Sequence, residues 1–364
     1  MEPTRRASRR TVLLTIGIAA TAGIVATAPE RPAWAEATPS GLFEAVNGSV
    51  VRIYSQELIV DGVDSITQRI EPSQGSGVVI SEDGRVLTAA HVVQSADRII
   101  IVYPGGKSVQ ARVWAAEPAA DVAILEPLEP PPPQRHARLG RSDRVRIGDR
   151  VTMVGHPMDL EITVAVGHVA GRSTRTSTAA KPQGEVGGIE VLRTDAHISE
   201  GASGAPIFDD DGRVIGIASA VLREHAQPIG IGFFIGIDTV RRLLIDERSM
   251  WTGINGHWLG GWYARVFNLP RAAGLLVERI ASDSPAAALK MRAGTGVARI
   301  DRHNMRLGGD VLLRVQDIWL SDEDGYEKAR AAMARLGPGD TLRVLVLRAG
   351  QQRELEVTLE AGIR

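Results

Sequence analysis

The sequence predicts a mainly β protein: two β-barrels or sandwiches of similar size, followed by a smaller mixed α/β module. Three observations carry this expectation. From about Val50, short apolar runs recur every eight to twelve residues between Gly, Pro, Asp or Ser, the rhythm of an all-β domain. A proline-rich stretch, Glu126-Pro-Leu-Glu-Pro-Pro-Pro-Pro, cuts those runs into two sets of six. Beyond residue 256 strand-like runs alternate with segments of helical spacing, as in a separate α/β unit.

The elements follow in order. Val50–Tyr54, Gly77–Ser81, Val86–Ala89, Arg98–Val102, Gln110–Ala115 and Val122–Leu125 read as the first strand set. The prolines cannot donate to a ladder and should lie extended on the surface. Arg150–Gly155, Ile162–Ala170, Glu190–Thr194, Ala205–Phe208, Val214–Val221 and Gly230–Ile235 form the second set. Asp238–Glu247 spaces Val240, Leu243 and Leu244 as one face of a helix that would close this unit, giving a domain over 42–248. Trp251–Gly256 reads as a linker. The module over 256–362 then offers a strand at Gly274–Ile280, a helix at Ser284–Lys290 and a glycine-rich stretch. After these come a strand near Val311–Arg314, a helix at Glu327–Leu336 and strands at Thr341–Arg348 and Arg353–Leu359 joined at Gly350.

A chain of 364 residues has room for two domains with their own cores. The 39 glycines and 19 prolines suit a turn-rich β protein. A net charge of −1 lacks the basic excess of a nucleic-acid binder. With no cysteine, disulfides, thiolate metal sites and cysteine nucleophiles are excluded. No ligand-spaced histidine pair or phosphate-binding glycine loop implies a metal or organic cofactor.

Residues 1–35 read as an export signal. Arg5-Arg-Ala-Ser-Arg-Arg is followed by an uncharged run from Thr11 to Ala28 and a small-residue exit at Ala33-Trp34-Ala35. Ser8-Arg9-Arg10 before Thr-Val-Leu-Leu resembles a twin-arginine signal. The alternative is an N-terminal anchor, since 18 uncharged residues just span a bilayer. Removal of the segment would shift the net charge from −1 to −4.

Three short motifs could do chemistry, and each has a bland reading. Gly201-Ala202-Ser203-Gly204-Ala205-Pro206 surrounds one serine with small residues that let backbone N–H groups converge; alone it is equally a turn. Thr88-Ala89-Ala90-His91-Val92-Val93 places a histidine at a strand end, and seven other histidines exist. Ala119-Ala120-Asp121-Val122-Ala123-Ile124-Leu125 opens a buried strand with an aspartate, which needs a partner such as an imidazole N–H or its own backbone.

Taken together, His, Asp and Ser in that order, split between the two strand sets, resemble the chymotrypsin-like (trypsin-like) serine proteases. The neighbouring motifs are closer to the HtrA/Deg family of exported proteases. They are Gly75-Ser76-Gly77-Val78-Val79-Ile80 before the histidine, Thr194-Asp195-Ala196 before the serine loop, Gly148-Asp149-Arg150-Val151, Gly155-His156-Pro157 and Gly230-Ile231-Gly232-Phe233. The resemblance implies a double β-barrel with Ser203 as nucleophile, His91 as base and then acid, and Asp121 orienting the imidazole. It also implies Gly201 and Ser203 as the oxyanion hole. Asp195 and Asp149 are placed away from His91. Three departures stand out. Ala202 and Ala205 replace Asn and Gly, and Ala205 matters if that site needs a positive φ. His197 replaces a small residue expected at the base of the specificity pocket, to which Ser219 and Ala220 also contribute. A histidine there would change the preferred P1 residue.

The last module resembles a PDZ domain, with Leu259, Gly260 and Gly261 in the carboxylate-binding loop and an expanded stretch from Arg292 to Leu313. Family likeness implies unfolded protein or peptide substrates, activating C-terminal peptides and a homotrimer built near Leu42 and Phe43. It implies a periplasmic or cell-envelope location and no nucleic acid. The segment Ser55–Gln74, where the family carries a long loop, is short. A second reading is a proteolytically weak chaperone or peptide-sensing scaffold.

Overall fold

The first strand set closes on itself because its apolar residues alternate. In β5 (Ser108–Glu117), Val109, Ala111 and Val113 point inward while Ser108, Gln110 and Arg112 face solvent, the period-two signature of a half-buried strand. With β1 (Val50–Asp61), β2 (Thr67–Val79), β3 (Val86–Thr88), β4 (Arg98–Val102) and β6 (Val122–Pro127) it forms a closed barrel of order β1-β2-β3-β6-β5-β4. The computed structural model describes residues 38–62, 67–157, 161–175, 188–199, 201–219, 230–301, 303–321 and 323–360. The export segment expected over 1–35 lies outside them, as does Ala220.

The second set builds the companion barrel from β8 (Arg150–Gly155), β9 (Thr163–Arg175), β10 (Ile189–Thr194), β11 (Pro206–Phe208), β12 (Arg213–Ala218) and β13 (Gly232–Gly236). Their order is β11-β8-β9-β10-β13-β12, and pairing of β11 with β12 closes it. A two-residue strand after the prolines, β7 (Arg138–Leu139), adds to β12 in parallel; nothing in its composition announces it. Between the barrels lies a shared core in which Val78, Leu87 and Ile124 meet Phe208, Ile217 and Leu243. A helix absent from the sequence reading, α1 (Pro39–Val46), plugs one end of it. Thr38 caps α1, its Oγ1 accepting from Gly41 N at 3.2 Å, and Leu42 is buried in the shared core. Leu42 is thus buried within its own chain. The short helices α2 (Ala90–Val93) and α3 (Ile237–Val240) complete this part, α3 running on as a wider turn to Asp246.

The third unit is a sheet of order β14-β15-β18-β20-β21, from β14 (Ile254–Gly260), β15 (Ala273–Ile280), β18 (Val311–Val315), β20 (Thr341–Arg348) and β21 (Gln351–Thr358). The short β19 (Ile318–Trp319) joins it by pairing with β18, and beside it stand α4 (Trp262–Val266), α5 (Pro285–Ala288), α6 (Glu323–Ala334) and a separate hairpin of β16 (Gly296–Ile300) with β17 (His303–Leu307). Three stretches differ from the sequence reading. Trp251, expected in a linker, is buried in the first barrel's core and its indole N–H donates to Gln94 O at 2.9 Å. The glycine-rich stretch contains β16 and β17. Ser55–Gln74 is a ladder rather than a loop, paired as far as Asp61 with Thr67. This arm reaches the third unit, where Arg306 Nη2 donates to Val60 O at 2.8 Å and to Asp61 Oδ1 at 2.7 Å. Among the described residues, no helix is long and apolar enough to cross a membrane.

Candidate active site

β3 delivers the chain into α2, whose second residue is His91. A turn after β5 brings back Asp121, at φ 55° and 7% exposed. A buried carboxylate must be hydrogen-bonded, and this one is. Asp121 Oδ1 accepts from His91 N at 2.9 Å, both carboxylate oxygens lie 2.9 Å from His91 Nδ1, and Ser219 Oγ donates to Oδ2. His91 is thus held by its backbone and its ring, which fixes the Nδ1–H tautomer and leaves Nε2 as the free acceptor. Burial pulls the imidazolium down, but the charge of Asp121 and its hydrogen bond outweigh that and hold His91 above 6.5. The side chain keeps 28% of its surface accessible, so a reactant can reach it.

Ser203 lies on the loop between β10 and β11. The loop is packed against the histidine strand: a Cβ added to Gly204 would stand 2.2 Å from Ser76 O and 2.9 Å from Ala89 N, two residues before His91. Gly204 also has φ +83°, so both space and backbone demand glycine. The loop is tied down at alternate groups. Ser203 O accepts from Ser76 N at 2.8 Å, Gly204 N donates to Ala218 O at 2.9 Å and Ala205 N to Ala202 O at 2.9 Å. Among the described residues, the N–H groups of Gly201 and Ser203 donate to no protein acceptor, and the Ser203 hydroxyl is not hydrogen-bonded to His91 Nε2. Apo catalytic pairs are commonly looser than the 2.6–3.2 Å of a working complex.

The departures from the family pattern fall into place. Ala202 and Ala205 are fully buried. Ala205 is not among the positive-φ residues, and its methyl lies where a side chain on Gly155 would have to go. His197 is exposed between buried Ala196 and Ile198, because the in–out alternation of β10 runs on through the loop entry. Ile198 turns inward, its Cδ1 2.6 Å from where a Cβ on Gly232 would sit. Ser219, expected in the pocket, spends its hydroxyl on Asp121. Asp195 accepts from His168 N and Asp149 from Arg146 N, away from His91.

In the third unit, Leu259 is fully buried, while Gly260 and Gly261 lead into α4, Gly261 at φ +54°. β14 pairs with β15 on one side only and is an edge of its sheet. The Trp258 ring meets Tyr326 of α6 edge-on at 5.9 Å.

Comparison with known proteins agrees with this fold. A model of the trypsin-like peptidase domain matches residues 75–217. A protein of Brucella suis described as a probable periplasmic serine endoprotease DegP-like is 30% identical over 295 residues, 79% of this chain and 53% of the relative. A Halomonas elongata protein of the same description is 28% identical over 294 residues, 79% of this chain and 56% of the relative. The chain thus spans about half the length of these curated relatives. A solved serine-to-alanine variant of the HtrA-type protease AlgW, with a decapeptide, superimposes with a TM-score of 0.52 at 25% identity, covering 89% of this chain and 97% of that one. Two closed six-stranded barrels and these matches define a trypsin-like serine-protease fold. Within that class, the chain is most like HtrA-type and DegP-like proteases among these matches.

Proposed function

We propose that this chain is a serine endopeptidase exported to the cell envelope, acting on unfolded or damaged proteins. The observation that carries the reading is the threefold grip on Asp121, by His91 N, His91 Nδ1 and Ser219 Oγ, beside a serine loop with two uncommitted N–H groups. Ser203 Oγ attacks the scissile carbonyl carbon while His91 Nε2 takes its proton. Asp121 holds Nδ1–H and stabilises the imidazolium that results. The negative oxygen of the tetrahedral intermediate lies toward the N–H groups of Gly201 and Ser203. Collapse expels the amine, protonated by His91, and a water deprotonated by the same nitrogen releases the acyl group.

The edge strand β14 and helix α6 suit a peptide C-terminus added as a further strand, with the N–H groups of Leu259, Gly260 and Gly261 meeting its carboxylate. Such peptides would regulate the protease. The peptide in the AlgW complex and the periplasmic description of the relatives support both ligand class and location. A homotrimer is expected from the family, with Phe43 a better candidate for the contact than Leu42.

A fluorophosphonate probe tests the reading directly. It should label the wild type and not Ser203→Ala, and only the wild type should degrade casein, with and without hydrophobic C-terminal peptides. A folded wild type that neither labels nor cleaves under any of these conditions would leave the scaffold reading in its place.

A further inference from the structure

We propose that Ser76 is a positioning residue that holds the oxyanion loop in register, an inference that rests on the endopeptidase reading. Two sequence motifs without an assigned role, Gly75-Ser76-Gly77 and Gly155-His156-Pro157, converge on this loop. Ser76 is fully buried on β2. Its hydroxyl lies 2.8 Å from His156 N and 3.1 Å from Gly201 O. The polarity of this relay is forced. A backbone N–H can only donate, so the hydroxyl accepts from His156 and directs its single proton to the Gly201 carbonyl. His156 is itself fixed, since Gln74 Nε2 donates to its carbonyl at 3.2 Å.

The same residue grips the loop through its backbone as well. Ser76 N donates to Ser203 O at 2.8 Å, and Ser76 O accepts from Thr88 Oγ1 at 2.7 Å. Ala202 N, the other end of the Gly201–Ala202 peptide, donates to Ser199 O at 3.2 Å. That peptide is therefore anchored on both sides, and one anchor is the Ser76 hydroxyl. Gly201 sits at φ +81° and has no Cβ to resist rotation. Without the hydroxyl, the Gly201 carbonyl loses this partner, and rotation at Gly201 is the cheapest way to find a new one. That rotation carries the Gly201 N–H out of the line it must hold toward the oxyanion.

The test compares wild type, Ser76→Ala and Ser49→Ala. Ser49 carries an equally buried hydroxyl, bonded to Val46 O at 2.7 Å and remote from the loop, so its loss reports general destabilisation. With a chromogenic peptide, Ser76→Ala should lower kcat about 10–100-fold, less than or up to the loss expected for removing an oxyanion donor outright. KM should stay within about twofold, and fluorophosphonate inactivation should slow by the same factor as kcat. Amide hydrogen exchange should accelerate in residues 199–205 of Ser76→Ala alone. Unchanged kcat and inactivation rate, or losses matched by Ser49→Ala, would overturn the proposal. If the wild type is catalytically silent, the endopeptidase reading fails instead. Exchange of the loop then decides the positioning role by itself: faster in Ser76→Ala supports it, unchanged refutes it.

Discussion

Asp121 concentrates the residue-scale argument. A non-glycine residue at φ 55° costs about 1–2 kcal/mol, and it persists because three donors converge on the carboxylate. Asp121→Asn keeps size and tolerance of that backbone, but an amide nitrogen facing Nδ1 forces the wrong imidazole tautomer. We expect kcat to fall about 10⁴-fold at neutral pH, as such a change does in a Ser-His-Asp triad. The pH dependence follows from His91, held above 6.5 by Asp121. A raised histidine value stabilises the fold fully below the unfolded value of about 6.5 and loses that contribution as pH rises through the folded value. The stability gap between wild type and Asp121→Asn should therefore be wider at pH 5.5 than at pH 9 in urea titrations. The acid limb of kcat/KM should likewise fall above pH 6.5 in the wild type, and a limb below that value would contradict this assignment. Specificity belongs to the same scale. Ile198→Ala should open the space above Gly232 and shift P1 preference toward larger side chains in a peptide library, with His197→Ala leaving it unchanged. His91, Asp121 and Ser203 stand out as candidates in the sequence because their neighbours form motifs. The outward face of His197 follows strand alternation: Thr194, Ala196 and Ile198 are buried, Asp195 and His197 exposed.

At the scale of elements, helix α6 is fastened to the first barrel by a buried charge. Glu117, ending β5, is 1% exposed and accepts from Ser249 Oγ at 3.2 Å and Tyr326 OH at 3.4 Å, with Arg330 Nε 3.5 Å away. Burial raises the Glu117 carboxyl above its ordinary 4.5, against the charge of Arg330 and the hydrogen bonds. Arg330 also reaches Glu247 at 2.7 Å. Removing one partner of such a pair strands the other. Arg330→Met should thus destabilise by about 3–5 kcal/mol at pH 7. Because a raised carboxyl value makes the charged form the costly one, the loss should shrink as pH falls toward 5 and Glu117 takes up a proton. A loss independent of pH would mean that packing of the arginine stem, not the stranded charge, sets the effect. Most elements were legible from period alone, α6 included within a few residues. The hairpin of β16 and β17 was not: Val297 is 63% exposed and Met305 is its one fully buried apolar side chain, so the alternating burial of β16 has no matching apolar alternation in the sequence to mark it.

Over the whole molecule, two irregularities of the sequence turn out to be one feature. The shortened Ser55–Gln74 segment and the expanded stretch after Arg292 meet through residues 245 positions apart, Asp61 and Arg306, a distance that neither local period nor composition can bridge. Arg306 is 9% exposed and also donates through Nε to Gly294 O at 3.3 Å, so the arm is gripped from within the hairpin's base. Gly62 N donates to Thr295 O at 3.1 Å, and Arg279 pairs with Glu57. On the opposite side of the arm Asp97 accepts from Leu58 N at 2.6 Å and Ser282 N at 2.7 Å. Interfaces between domains of one chain are usually permissive of motion, but one with partly buried charge pairs and a buried Trp251 should unfold with the domains it joins. The wild type should therefore show a single calorimetric transition with matching calorimetric and van't Hoff enthalpies. Arg306→Ala combined with Arg279→Ala leaves each core intact and removes the grip on the arm, and should split that transition into two. Two transitions already present in the wild type would mean that the arm does not couple the units, and one that survives in the double variant would mean that Glu117–Arg330 and the buried Trp251 couple them without it.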